Sequence, residues 1–346
     1  MSAPVVEPVT DRPVRWGVVG PGRIAAGVMG DLAAMPGGEL HAVASRSAGR
    51  ARAFADSHGA RVSYGSYVEL LGDPDVDVVY IATPHRQHHG IALAAIEAGK
   101  HLLVEKAFTV TLAGAQEVVD AARARGVFVM EAMWTRFQPA VVRLREALAD
   151  GAVGEVRSVS ADLGLRVPFD PGDRLWDPSQ GGGALLDLGV YPASWLQMVL
   201  GGAPGSLEVA GVLGQNGVDA ESTLLWRAQD GRHGVGTCSL LSPLPGRASV
   251  FGTEGWIEVP PRFHHPGGFL IHRTGGGRSV ESTEEVVAPA TGAGYSHELD
   301  EVHRCLAEGL TESPTMPLDD TLAVMSALEQ ALHALGVHHD EDPAAL

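Results

Sequence analysis

Short apolar runs and amphipathic helical stretches alternate through the first third of the chain. Five runs are rich in valine, leucine and isoleucine without a period of two, which is typical of strands buried on both faces of a parallel sheet. The alternation of strand and helix predicts a doubly wound α/β domain. The predicted strands cover residues 14–20, 39–46, 76–84 and 127–137, and a fourth lies within 100–108, before the charged pair at 105–106.

The pattern changes after residue 153. Strand-like runs now follow one another with glycine and proline turns between them, which predicts an α+β domain with a largely antiparallel, open sheet. These runs cover residues 155–166, 207–214, 222–229, 234–241, 255–260 and 268–273. One helical stretch, residues 173–202, interrupts the strands, and two helices near 297–308 and 319–335 close the chain. The expected organisation is a flexible tail over residues 1–12, a nucleotide-binding domain over 13–135 and a substrate and dimerisation domain over 136–346.

Composition narrows the possible partners. The net charge of −17 argues against nucleic acid and anionic membranes, which both bind basic surfaces. The uncharged run 188–207 is broken by prolines and glycines, so no membrane span is expected. The two cysteines make no disulfide framework, and no leader is visible, so a reducing, cytoplasmic location is expected. An open sheet needs a cover, which predicts a homodimer or higher homo-oligomer.

A glycine motif follows the first predicted strand. Gly20, Gly22 and Ala25 have the G-x-G-x-x-A spacing, which permits a tight turn, close approach of a pyrophosphate and tight helix packing. The amide groups of Gly22, Arg23 and Ile24 are then expected to face the phosphates at the helix start. This predicts a Rossmann-type domain. The alternative is a tight strand–helix turn that binds nothing.

The end of the second strand bears on cofactor choice. Domains of this kind that prefer NAD place an acid here against the ribose hydroxyl. This chain has Ser45, Arg46 and, one turn on, Arg50, with no acid beside them. The guanidinium groups favour NADP, although NAD is possible. The alternative is a surface arginine at a helix start.

Further polar residues follow the other predicted strands, at the sheet edge where such folds bind ligands. Lys106 could bind both a cofactor and a substrate oxygen, or be a solvated lysine. His88 could line the cofactor site or simply open a helix, and Trp134 could be packing. No metal-ligand spacing is present, and His264 and His265 are expected to be solvated. The expected cofactor contacts at these strand ends are Thr83, Pro84, His85, His88, Glu105, Lys106, Trp134 and Arg136.

The helical stretch in the second domain holds an acid and a tyrosine. Asp187 and Tyr191 are four residues apart and share a face if the segment is one helix. Pro192 predicts a kink or a late helix start. The glycines at 181–183 allow close backbone approach to some other group. The alternative is a glycine-rich loop beside a buried tyrosine.

Taken together, these motifs resemble the Gfo/Idh/MocA oxidoreductase family over nearly the whole chain. The likeness is greatest to the branch of dimeric dihydrodiol dehydrogenases and NADP-dependent D-xylose dehydrogenases. That resemblance implies that Lys106 and Tyr191 are catalytic, with Asp187 in the same motif. The family's proline after the lysine is Ala107 here. The segments that carry the resemblance are GPGRIA, ATPHRQHH, VEKAF, EAMWTRF, GGGALLDLGVY and YSHELDEVHRCLAEG.

The implied reaction is hydride transfer from a small polyhydroxylated molecule, an aldose such as D-xylose or a trans-dihydrodiol, to NADP. Tyr191 accepts the hydroxyl proton, and the Lys106 ammonium lowers its pKa from ~10. Asp187 orients Tyr191 or a substrate hydroxyl. Two other readings stay open, which are a sugar–sugar oxidoreductase with tightly held NADP and a non-catalytic NADP-sensing regulator. The expected substrate contacts are Trp134, Arg166, Phe169, Tyr191 and Trp176, which could instead be core.

Overall fold

The computed structural model describes residues 12–275, 277–342 and 344–346, so most of the predicted tail lies outside the described residues. The chain divides into two compact units. The first comprises Met1–Met133, Thr291–Thr321 and Asp340–Leu346, and the second comprises Trp134–Ala290 and Leu322–His339. The predicted second domain took in everything after residue 135, whereas two late segments group with the first unit.

The first unit contains a six-stranded sheet in which every pair of neighbours is parallel. Its order, β3-β2-β1-β4-β5-β6, reverses direction between β1 and β4. Ligands of doubly wound sheets bind outside the carboxyl ends of the strands at such a point. The strands are β1 (Val14–Val19), β2 (Gly38–Ala44), β3 (Val62–Tyr64), β4 (Val78–Ile81), β5 (His101–Val104) and β6 (Val129–Glu131).

The helices of the first unit begin and end where local chemistry allows. Ser47 and Thr111 each accept a backbone N–H in the first turn of a helix, and Gly59 and Gly126 end the same two helices in the left-handed conformation. These signals were readable in the sequence. The helices are α1 (Arg23–Ala34), α2 (Ala48–His58), α3 (Tyr67–Leu71), α4 (His88–Glu97) and α5 (Leu112–Arg125).

The second unit contains an eight-stranded sheet of order β14-β13-β12-β11-β7-β10-β9-β8. All neighbours are antiparallel except β7 and β10, which are parallel. The prediction of a mostly antiparallel sheet is confirmed, but β11 and β14 were not among the predicted strands. The strands are β7 (Val156–Gly164), β8 (Ser206–Leu213), β9 (Asp219–Arg227), β10 (His233–Ser239), β11 (Ala248–Gly252), β12 (Gly255–Val259), β13 (Gly268–Arg273) and β14 (Ser282–Val287).

The two faces of this sheet differ in burial. Val159, Ala161, Leu224 and Trp226 point to one face and are buried. That face packs against a helix so closely that a side chain at Gly234 would overlap Leu196. The alternate positions form the other face and are more exposed, as the period of two requires.

Four helices complete the fold. The predicted last strand of the first domain ends at Glu131, and residues 134–137 form a 3₁₀ turn. Among the described residues, no helix is long and apolar enough to cross a membrane. The helices are α6 (Pro139–Ala149) and α7 (Val190–Leu200) in the second unit, α8 (Ser296–Ala307) in the first, and α9 (Leu318–Ala334), which is divided between them after residue 321.

Candidate active site

The turn between β1 and α1 has the backbone of a phosphate-binding loop. Gly20 has φ +87°, and a Cβ there would lie 2.8 Å from the carbonyl oxygen of Ala82 and 2.9 Å from Thr83. Only glycine therefore fits between the ends of β1 and β4. Gly22 caps α1 without a side-chain hydrogen bond, and the first turn of α1 carries no acid. A Cβ at Gly22 would meet nothing closer than 3.9 Å, so the space above the helix start is open to an anion.

The end of β2 presents two exposed arginines and a helix start. Ser45 is buried and its hydroxyl accepts the backbone N–H of Ser47 at 3.3 Å. Ser47 in turn caps α2. Arg46, just before this cap, and Arg50, in the first turn of α2, are both exposed. These residues offer two guanidinium groups and helix N–H groups to a phosphate, which is the donor set that a 2′-phosphate would need.

His88 joins the ends of two neighbouring strands. Its ring is fully buried, with Nδ1 3.0 Å from the carbonyl oxygen of Ala107 and Nε2 2.8 Å from that of Thr83. Burial lowers the pKa of His88 below its usual value. His85 packs edge-on against it at 5.8 Å. His88 is thus more than a helix-start residue, because it fixes the loop that carries Lys106.

Lys106 lies in the bend that follows β5 and is half-buried. The peptide bond between Lys106 and Ala107 is cis. The preceding acid, Glu105, accepts the backbone N–H of Lys106 at 3.2 Å and a hydrogen bond from the buried hydroxyl of Tyr80. Burial, with the charge of Glu105, raises the pKa of the nearby buried Glu298 well above its usual value. Glu105 therefore anchors the backbone at the lysine.

Tyr191 lies in an aromatic cluster of the second unit. The indole N–H of Trp134 donates to the Tyr191 hydroxyl at 3.2 Å. The ring of His265 stacks on Trp134 at 4.9 Å with an interplanar angle of 18°, and that of His264 lies 5.3 Å from Tyr191. The prediction that these two histidines are solvated is wrong. They are partly buried beside the tyrosine, and the polar look of their loop concealed the aromatic partners.

The segment that carries Asp187 and Tyr191 is not a single regular α-helix. Residues Leu185–Gly189 form a π-helical turn that continues into α7. Such turns cluster at functional sites, and this one precedes Pro192, which cannot donate to the ladder. The Asp187 carboxylate accepts a hydrogen bond from Arg174 at 2.7 Å, and its side chain is 13% exposed. The sequence predicted the irregularity but not the arginine.

Gly183, the last of the three glycines before this segment, approaches a buried acid that no sequence motif had indicated. A Cβ on Gly183, which has φ +128°, would overlap the carboxylate of Asp219. Asp219 accepts the backbone N–H of Leu185 at 2.6 Å and so caps the helical segment from β9. Burial raises the pKa of Asp219 to about 7. No local signal marks this contact, because the two residues are far apart in the chain.

The other predicted substrate contacts divide into exposed and buried residues. Arg166 and Phe169 are exposed. Trp176 is 1% exposed, donates its indole N–H to the carbonyl oxygen of Pro168 at 3.0 Å and packs edge-on against Phe169. Trp176 is therefore a core residue, as the alternative interpretation had it. Its ring packs against that of the exposed Phe169.

Arg136 was predicted to contact the cofactor. It is 2% exposed, and its guanidinium donates to Ser194 at 3.4 Å and to Gln197, both on α7. These bonds connect the 3₁₀ turn that begins at Trp134 to α7, the helix that carries Tyr191. The observed contacts of Arg136 are thus within the second unit.

No metal site was expected. Among the described residues, His41, Asp73 and Asp75 place three possible ligand atoms within 4.8 Å of one another. Asp73 accepts a hydrogen bond from Tyr64 at 3.0 Å and lies 3.0 Å from His41 Nε2. Asp75 donates its backbone N–H to Asp73 at 2.8 Å, and its carboxylate pairs with Arg15.

Two family models match the chain. Residues 14–133 match the GFO/IDH/MocA oxidoreductase family model with an NAD-binding Rossmann fold, and residues 141–258 match the model of the GFO/IDH/MocA C-terminal domain. Among curated proteins, trans-1,2-dihydrobenzene-1,2-diol dehydrogenase of Macaca fascicularis is 38% identical, over 95% of this chain and 99% of that protein. The enzyme of that name from Homo sapiens is 37% identical over the same shares.

Solved structures show the same likeness. The 3-ketoreductase KijD10 of Actinomadura kijaniata, in complex with NADP and TDP-benzene, has a TM-score of 0.80 and 28% identity, covering 96% of this chain and all of that one. Aldose–aldose oxidoreductase of Caulobacter crescentus, in complex with glycerol, has a TM-score of 0.83 and 25% identity, covering 94% and 98%.

Proposed function

The chain belongs to the Gfo/Idh/MocA family of oxidoreductases and is an NAD(P)-dependent dehydrogenase acting on hydroxyl groups, and on that premise we propose that it oxidises a small polyhydroxylated molecule with NADP. The observation that carries the proposal is the Trp134 N–H that donates to the Tyr191 hydroxyl. A donor to a phenol oxygen favours the ionised form, which is the form that can take a proton.

In the proposed reaction, Tyr191 accepts the proton of the substrate hydroxyl. The family resemblance gives Lys106 the role of a positive charge that favours tyrosinate. Glu105 holds the lysine backbone in place through the bond at 3.2 Å. NADP, when bound, supplies the hydride acceptor. Asp187 orients a substrate hydroxyl, with Arg174 fixing its carboxylate. Arg174 thus takes a positioning role that the sequence did not suggest.

The preference for NADP over NAD rests on the end of β2. Arg46 and Arg50 are exposed beside the N-terminus of α2, with no acid between residues 44 and 50. A 2′-phosphate there would gain charge-assisted hydrogen bonds that NAD cannot make. The predicted cofactor contacts Gly20, Gly22 and Ser45 lie at the carboxyl ends of β1 and β2, as the proposal requires.

Cofactor titration tests this preference. Replacing Arg46 by Asp should weaken NADP binding at least about tenfold, because it removes a favourable charge and adds a repulsive one. NAD binding should stay nearly unchanged. Arg52→Asp, the same change at an exposed position on α2, is the matched control. A wild type that prefers NAD, or an Arg46→Asp protein that still prefers NADP, refutes the assignment.

The substrate class rests on the exposed residues near Trp176. Phe169 is 38% exposed and offers an apolar face, while Arg166 and Arg174 offer hydrogen-bond donors. A ring with one apolar face and several hydroxyls suits such a surface. The names of the related proteins, a dihydrodiol dehydrogenase and an aldose–aldose oxidoreductase, support a diol or an aldose. NADPH formation with a panel of aldoses, dihydrodiols and hydroxy acids tests this class, and turnover of hydroxy acids alone would refute it.

One other activity is favoured by a specific observation. The name of a structural neighbour, an aldose–aldose oxidoreductase, supports transfer between two sugars, for which the NADP would be retained between the two half-reactions. Gel filtration without denaturant separates the cases, because a retained cofactor stays with the protein. A non-catalytic regulator is disfavoured, because both Lys106 and Tyr191 are present in the sequence.

A homodimer joined through the more exposed face of the second sheet completes the proposal. On that face Val235 and Phe251 are 38% and 39% exposed, and Trp256 stacks on His272 at 4.6 Å. Large apolar side chains on an uncovered sheet face are typical of subunit interfaces.

A further inference from the structure

A strained turn lies between β12 and β13 in the second unit. We name it the histidine turn, Arg262–His265. Arg262 has φ 70°, and among the described residues it is the one non-glycine residue with positive φ. Such a conformation is unfavourable for a residue with a side chain and persists where neighbouring contacts impose it. Residues held in this way cluster at functional sites, so the contacts of the turn need an explanation.

Several contacts hold the histidine turn in place. Phe263 is fully buried, packs edge-on against Trp195 at 5.6 Å and donates its backbone N–H to Gly246 at 2.9 Å. The hydroxyl of Thr135 donates to the carbonyl oxygen of His264 at 2.8 Å. The backbone N–H of His265 donates to Arg262 at 2.7 Å and closes the turn. The two imidazoles are therefore presented by a rigid backbone.

The imidazole of His265 covers one face of a functional side chain. It stacks on the indole of Trp134 nearly in parallel, at 4.9 Å. The orientation of this indole matters, because its N–H must point at the Tyr191 hydroxyl, 3.2 Å away. A hydrogen bond weakens steeply when the donor angle is lost. An indole free to rotate about its two side-chain torsions would make that bond only part of the time.

We infer that His265 is a positioning residue, which holds the Trp134 indole in the orientation that donates to Tyr191. The inference rests on the proposed function, in which Tyr191 is the proton acceptor. The ring face, and not the charge, of His265 does this, so another planar ring at the same place serves as well. His264 accepts the hydroxyl of Thr135 at its carbonyl oxygen, and its ring lies 5.3 Å from that of Tyr191.

Three variants test the inference. His265→Ala removes the stacking ring, and His265→Phe keeps it. His272→Ala is the matched control, because His272 also stacks on a tryptophan, Trp256, at 4.6 Å. Two measurements are made on each variant. The first gives kcat and KM for the substrate at saturating NADP, and the second gives the pKa of Tyr191. The pKa comes from absorbance titration of each protein minus its Tyr191→Phe counterpart.

We expect His265→Ala to lower kcat about tenfold, or ~1.4 kcal/mol, with little change in KM, and to raise the pKa of Tyr191. His265→Phe should restore both, and His272→Ala should change neither. In a Trp134→Phe background, which lacks the N–H, His265→Ala should have no further effect on either quantity.

An unchanged pKa and kcat in His265→Ala, or failure of His265→Phe to restore them, overturns the inference. The titration also separates it from the proposed function. A raised pKa in His265→Ala together with full turnover by Tyr191→Phe would leave the positioning role intact and remove Tyr191 as proton acceptor. A fall in kcat that persists in the Trp134→Phe background would show that His265 acts by another route.

Discussion

The buried carboxyl of Asp219 makes a quantitative prediction about stability. Burial raises its pKa from the ordinary 3.8 to about 7, although it accepts the backbone N–H of Leu185. Each pH unit between those values corresponds to ~1.4 kcal/mol, so ionising Asp219 costs the folded state about 4 kcal/mol. In the unfolded chain the Asp219 carboxyl has its ordinary pKa of 3.8, so its ionisation carries no such cost. Asp219→Asn keeps an acceptor for Leu185 and removes the titration.

The direction in which the free energy of unfolding changes with pH follows from proton linkage. Because the folded pKa is raised, the folded state binds the proton more tightly, and this stabilisation is complete below pH 3.8 and is lost as pH rises to about 7. The wild type should therefore lose free energy of unfolding relative to Asp219→Asn by ~1.4 kcal/mol per pH unit between pH 5 and 7. Above pH 8 the difference should be constant.

Urea denaturation at half-unit steps from pH 5 to 9 measures this difference. Groups that titrate alike in both proteins cancel in the subtraction. Asp230→Asn, the same change at an exposed aspartate of the second unit, is the control and should run parallel to wild type over this range. Parallel curves for Asp219→Asn and wild type would refute the placement of a buried carboxyl beneath the glycine loop.

Two further predictions concern the cofactor loop and the sheet. Gly20→Ala should weaken cofactor binding at least about tenfold in a fluorescence titration, because the new Cβ would lie 2.8 Å from the carbonyl oxygen of Ala82. Gly30→Ala, which has open space around it, is the control and should bind the cofactor as wild type does. Phe251→Glu should convert the dimer to monomers, as measured by light scattering at micromolar concentration, whereas Val68→Glu on the first unit should leave the dimer intact. A wild type that is monomeric at that concentration contradicts the proposed interface.

Most of the fold was predictable because hydrophobic periodicity and turn residues are local signals. The parallel sheet followed from apolar runs separated by helices, and the second sheet from strands without helices. The missed strands, β11 and β14, carry weaker patterns. In β14 nearly every residue is exposed, so no alternation marks it. The late segments that join the first unit could not be assigned, because grouping depends on contacts distant in sequence.

The candidate site was predictable where a motif sets the backbone. The glycine turn, the arginines after β2 and the irregular helix at Pro192 all follow from local chemistry. The partners of this segment did not follow from local chemistry, because they are distant in sequence. Arg174 binds Asp187, Asp219 binds the backbone of Leu185, and the histidine turn contacts Tyr191. His264 and His265 were judged by their polar neighbours in the chain, whereas their position is decided by Phe263 in the core.

The central claim, that Tyr191 is the proton acceptor in an NADP-dependent oxidation, is tested most directly by Tyr191→Phe. NADPH formation is followed with the substrate that the wild type turns over best, and NADP binding is titrated on the same protein. The variant should lose at least ~10²-fold in kcat while binding NADP as wild type does, because only the acceptor oxygen is removed. Tyr64→Phe, whose hydroxyl binds Asp73 in the first unit, is the matched control and should keep wild-type kcat. A Tyr191→Phe enzyme with near wild-type kcat would contradict the account.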